Sequence, residues 1–78
     1  MDKIGLTPAQ MEMYNFLKAY HSERGVYPTI REIGRGEIEG QQMIKKRTSN
    51  QSIQRLLISL EKRGWIKRQT LSRGIQVL

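Results

Sequence analysis

Two stretches of this sequence carry apolar residues at one and the same spacing, and that spacing leaves little freedom in what the chain can become. Met13, Phe16, Leu17 and Tyr20 recur at i, i+3, i+4 and i+7, and Ile53, Leu56, Leu57 and Leu60 repeat the pattern. At 3.6 residues per turn each set falls on one face of a helix, and each face needs a partner to bury it. Two such helices, far apart in sequence, must therefore share one core.

The flanking residues predict where these helices begin and end. Thr7 can accept from the free amides of a first turn, Pro8 suits the first helical position, and Gln10 can reach back to complete a capping box. With Leu6 in the lead-in and Gly25 as the stop, helix 1 is expected over Pro8 to Arg24. Met11 and Tyr14 lie off its main stripe and are expected in a satellite of the core. Val26-Tyr27-Pro28 should be extended, because proline drives its predecessor out of the helical region. Thr29-Ile30-Arg31-Glu32 is a second capping box, with Ile30 and Ile33 as the buried side of a short helix that Gly34 and Gly36 limit. Ser49 is the cap of helix 3, expected over about Asn50 to Arg63, with Gly64 ending it. Between them, Gly36 to Thr48 fits a loop, an extended helix 2 or an additional half-turn.

Trp65-Ile66-Lys67-Arg68 and Ile75-Gln76-Val77-Leu78 have the composition of two strands, and Ser72 and Gly74 in the connection suit a hairpin turn. Such a hairpin is marginal alone, so it should lie on the helices, with Trp65 filling the junction. The expected fold class is α+β, mainly helical: a winged helix-turn-helix of three helices followed by a C-terminal β-hairpin wing. At 78 residues, a single domain spanning 1–78 is the expectation.

Charge points to a polyanionic partner. The formal net charge is +7, and it is unevenly placed. Residues 1–36 hold five basic and four acidic side chains, whereas residues 37–78 hold nine and three, and Glu61 is the only carboxylate after Lys45. One strongly basic half is the footprint of a nucleic-acid binder, against the plainer alternative of a solubilising surface. There is no cysteine, hence no disulfide framework and no thiolate metal site. No apolar run approaches 18 residues and Met1-Asp2-Lys3 does not lead into a signal peptide, so a soluble, cytoplasmic protein is expected.

The residues offer little for catalysis. His21 is the sole histidine and has no base–nucleophile partner in sequence; a helix-end position explains it. Glu37 and Glu39 lack further metal ligands, and Gly34-Arg35-Gly36 follows a helix rather than leading from a strand as a phosphate loop does. We expect no enzyme, no cofactor and no metal. Helix 3 is more informative. With Ile53, Leu56, Leu57 and Leu60 inward, Gln51, Ser52, Gln54 and Arg55 lie on or beside the exposed face of its first turns. Their amide, hydroxyl and guanidinium groups match base edges in a major groove. An ordinary polar helix face is the alternative. Lys45, Lys46 and Arg47 just before the helix are candidates for phosphate contact, as are Lys67, Arg68 and Arg73 in the wing, where a hairpin also needs charge on its wet side.

These residues resemble the N-terminal DNA-binding domain of the LexA repressor family. Leu6-Thr7 with Gln10 is similar to its opening helix, and Pro28-Thr29-Ile30-Arg31-Glu32-Ile33 to the start of its second. Ser49 through Leu60 resembles the recognition helix, Lys62-Arg63-Gly64-Trp65-Ile66 the exit into the sheet, and Ser72-Arg73-Gly74-Ile75 the end of the wing. The resemblance implies an SOS-type or phage-type transcriptional repressor, with Ser49, Gln51, Ser52, Gln54 and Arg55 where the family reads bases. Three features depart from the pattern. The Gly34–Thr48 connection is several residues longer than a tight turn. Gln54 and Arg55 replace the acidic residues typical of the recognition helix, so the operator should differ. The sequence stops at Leu78, before the position of the family's self-cleaving, dimerising C-terminal domain and its serine–lysine dyad, so neither property is expected from these residues.

The expected function is sequence-specific binding of double-stranded DNA by a LexA-like winged helix, as a transcriptional repressor of bacterial or mobile-element origin. The alternatives are a protein–protein interaction module docking on polymerase or another regulator, and DNA binding in replication or recombination. A monomer is expected in solution, with any dimer forming on a palindromic site.

Overall fold

The computed structural model describes residues 5–68 and 74–78. Helix α1 spans Pro8–Arg24, α2 Ile30–Arg35 and α3 Asn50–Lys62. Strands β1 (Glu37–Ile38) and β2 (Gln41–Gln42) pair antiparallel between α2 and α3, and β3 (Ile66–Arg68) pairs antiparallel with β4 (Ile75–Val77) after α3. The architecture is the winged helix expected, α+β and mainly helical.

All three caps form as their local spacing demands. Gln10 N–H donates to Thr7 Oγ1 at 3.3 Å while Thr7 N–H donates to Gln10 Oε1 at 3.0 Å. Thr29 and Glu32 make the same reciprocal pair at 3.3 and 2.8 Å, and Ser49 Oγ accepts from Ser52 N–H at 3.4 Å. Helix α3 closes one residue earlier than expected, with Arg63 as its cap. Gly64 in the left-handed region then turns the chain: Gly64 N–H donates to Glu61 O and Trp65 N–H to Leu60 O. That six-to-one bond is a Schellman stop, and it aims Trp65 at the core.

The core is built from Met13, Phe16, Leu17 and Tyr20 of α1, Ile33 of α2, and Ile53, Leu57 and Leu60 of α3. Ile38 and Ile44 from the segment between α2 and α3, and Ile66 and Ile75 from the wing, complete it. Leu56 is only half-buried. The two off-stripe residues of α1 part company. Tyr14 is buried in the main core, its ring 4.9 Å edge-on from Trp65, while Met11 is exposed rather than part of a satellite cluster. In the wing, register pairs Ile66 with Val77, Lys67 with Gln76 and Arg68 with Ile75, so Lys67 and Gln76 share the wet face.

The connection after α2 is none of the three forms considered from sequence. It is a second, two-residue-loop hairpin. Glu39 and Gly40 both have positive φ, 53° and 80°, as a type I′ turn requires. Gly36 ends α2 at φ 67°, and its carbonyl accepts from Met43 N–H at 2.8 Å and Ile44 N–H at 3.1 Å. The Gln42 side-chain amide donates to Arg35 O at 2.9 Å and also reaches Ile44 O. The returning strand is thereby laid along the end of α2, where Arg47 N–H donates to Gly34 O at 2.9 Å. The connection does not simply loop out; it delivers residues 45–48 back to the flank of α2.

Candidate nucleic-acid interface

Helix α3 is about 20 Å long at 1.5 Å per residue, and its buried stripe determines which side chains project outward. With Ile53, Leu57 and Leu60 inward and 100° between neighbours, Gln51 and Arg55 point within about 30° of directly away from the core. Both are exposed, as are Asn50 and Gln54. Ile58 and Lys62 continue the outward stripe.

The first turns of α3 are flanked by two hollows. One, about 650 Å³, lies toward α2 and is lined by Arg31, Arg35, Lys46 and Arg47 together with Asn50 and Gln54. The other, about 310 Å³, lies toward the start of α1 and is lined by Ser49, Gln51, Ser52 and Arg55, with Ala9 on the far wall. Arg47 borders both. The structure thus splits the residues expected to read bases: Gln54 stands on the α2 side, Gln51 and Arg55 on the α1 side. Four guanidinium or ammonium groups and the amide end of α3, against the one carboxylate of Glu37, give the larger hollow a net positive field, the kind of place where a phosphate is held.

Not every residue singled out from sequence presents a free polar group. Ser49 is exposed, but its hydroxyl oxygen serves the helix cap. Ser52 is half-buried, and its hydroxyl accepts from Arg47 Nη1 at 3.1 Å. Arg47 itself is half-buried, with its Nε enclosed and lacking a hydrogen-bond partner among the described residues. Lys45 and Lys46 are exposed before the helix, and Lys46 Nζ sits 3.9 Å from Glu37 Oε2. In the wing, Lys67 is exposed. The Arg68 N–H donates to Glu61 Oε2 at 3.1 Å, anchoring β3 to the end of α3. Arg73 lies outside the described residues.

Sequence reasoning passed over Arg31, Arg35 and Asn50. Arg31 and Arg35 are four apart on α2, hence on one helix face, a signal present in the sequence. What the sequence lacks is any indication that residues 45–48 come back beside them. Among the described residues no helix is long and apolar enough to cross a membrane.

Comparison with known proteins follows the same residues. The family described as the LexA DNA binding domain matches residues 3–74. The LexA repressor of Petrotoga mobilis (strain DSM 10674 / SJ95) is 33% identical over 73 residues, 94% of this chain and 32% of that protein. The chain spans about a third of the length of that relative.

Proposed function

The chain belongs to the LexA DNA-binding domain family, and from that premise we propose that it binds double-stranded DNA sequence-specifically and represses transcription. The observation that carries this reading is the outward stripe of α3, Gln51 and Arg55, set between two hollows rich in cationic and amide groups. A helix of this size enters the major groove by its N-terminal turns, where Gln pairs with adenine and Arg with guanine edges. Gln51, Gln54 and Arg55 then read bases; Ser49 and Ser52 complete that surface while holding the first turn in shape. Lys45, Lys46 and Arg47, with Lys67, Arg68 and Arg73 of the wing, lie against the phosphates. The chain acts as one domain without catalysis, and two copies meet only on a palindromic site.

Titration of a preferred and a random duplex over several salt concentrations tests the division of labour. Arg55→Ala should weaken the preferred duplex by about 1–3 kcal/mol more than the random one. Lys45→Ala should weaken both alike and lower the salt slope by about one. If Arg55→Ala left the ratio of the two affinities unchanged, α3 would not be the reading element.

A further inference from the structure

The larger hollow contains one group that opposes its purpose. Among the residues lining it, Glu37 is the sole carboxylate, beside Arg31, Arg35, Lys46 and Arg47. It comes from β1, in the connection between α2 and α3, and it pairs in register with Gln42 at the base of that hairpin. Its Oε2 lies 3.9 Å from Lys46 Nζ; Lys46 is exposed and Glu37 half-buried, so the pair forms at the mouth of the hollow and not inside the core. The hairpin's other carboxylate, Glu39, does not line this hollow: it faces Arg24 of α1 at 3.6 Å, across a neighbouring hollow that Glu37 also borders.

We propose that Glu37 is an intramolecular competitor of DNA phosphate for Lys46, setting how tightly and how salt-dependently any duplex binds. The inference rests on the reading of α3 and its flanks as a duplex-binding surface. A phosphate approaching the hollow meets a lysine that already faces a carboxylate. Binding exchanges one anion for another at Lys46, and the displaced carboxylate remains next to the backbone. The gain is therefore smaller than a free lysine would supply, and fewer ions are released in net. Because the competition is with the backbone, it acts on all sequences alike and holds down random binding without touching base discrimination.

The test compares Glu37→Gln with Glu39→Gln, which remove the same charge from the same hairpin, in salt titrations on the preferred and random duplexes. Glu37→Gln is expected to tighten both duplexes about two- to fivefold at low salt, the scale of an exposed ion pair. It should also steepen the salt slope by nearly one and leave the ratio of affinities constant. Glu39→Gln should change neither, and in a Lys46→Gln background the Glu37→Gln effect should largely disappear. Equal effects of the two substitutions, or a Glu37 effect that survives the loss of Lys46, would show a general charge effect and overturn the inference. A Glu37→Gln protein identical to a wild type that does bind would overturn it as well, with the duplex-binding reading intact. A wild type that binds no duplex overturns the reading itself.

Discussion

Arg47 donates from Nη1 to Ser52 Oγ across 3.1 Å, while its own backbone N–H donates to Gly34 O at 2.9 Å. One residue therefore fastens the end of the connection to α2 on one side and to the first turn of α3 on the other. Its position explains how a connection of this length can hold two helices at a defined spacing. A Cβ added to Gly34 would come within 3.0 Å of Arg47 O, so the two backbones are already close-packed.

Ser52 is accordingly more a brace than a free contact. Ser52→Ala should lower the unfolding free energy by about 1 kcal/mol, since it leaves a second Arg47 donor without its protein partner. It should weaken preferred and random duplexes to the same extent. A loss confined to the preferred duplex would assign the hydroxyl to base reading instead.

Gly36 is the position in the connection least tolerant of a side chain. Its φ is 67°, and an added Cβ would collide with the carbonyl oxygen of Ile44. Gly36→Ala should cost about 2 kcal/mol or more in a urea melt. Gly40, at φ 80° with open space around it, supplies the comparison: Gly40→Ala should cost only about 1 kcal/mol. Equal costs would mean that the strand after the hairpin does not lie against the end of α2.

Burial along α3 ranks its leucines. Leu57 and Leu60 are fully enclosed, and Leu57→Ala or Leu60→Ala should each cost about 2–5 kcal/mol, enough to unfold a domain this small. Leu56 is half-buried, and Leu56→Ala should cost about half as much. Denaturant curves in which Leu57→Ala matched wild type would contradict the packing of α3 on α1.

The exposed large apolar residues described are Met11, Val26, Met43, Ile58 and Leu78, carried by different parts of the chain. Singly placed apolar side chains of this kind do not build a stable interface. Sedimentation equilibrium at low micromolar concentration without DNA should give the monomer mass. A tight dimer under those conditions would disprove the expectation that copies meet only on DNA.

The amino-acid sequence alone determined the helix caps and the helical stripes, which depend on near neighbours at a fixed spacing. A cap is a bond between residues three apart, so Thr7 with Gln10, Thr29 with Glu32 and Ser49 ahead of Ser52 are legible without knowing the fold. The stripes Met13 to Tyr20 and Ile53 to Leu60 are likewise set by helical periodicity, and with them the outward direction of Gln51 and Arg55. Tertiary structure decided what depends on residues meeting from a distance. Met11 and Tyr14 both lie off the main stripe of α1, but Tyr14 stands on its flank, where Trp65 meets it edge-on, and Met11 on the far side, where it stays exposed. The hairpin at Glu37–Gln42 was illegible because its strands are two residues long and its turn is Glu39-Gly40, not the Asn-Gly that announces a type I′ turn. That hairpin in turn brings Lys46 and Arg47 beside Arg31 and Arg35 and places Glu37 among them. Local spacing carries no information about such a meeting, because the contacts that close it are made by backbone carbonyls at Gly34, Arg35 and Gly36, groups that every sequence possesses.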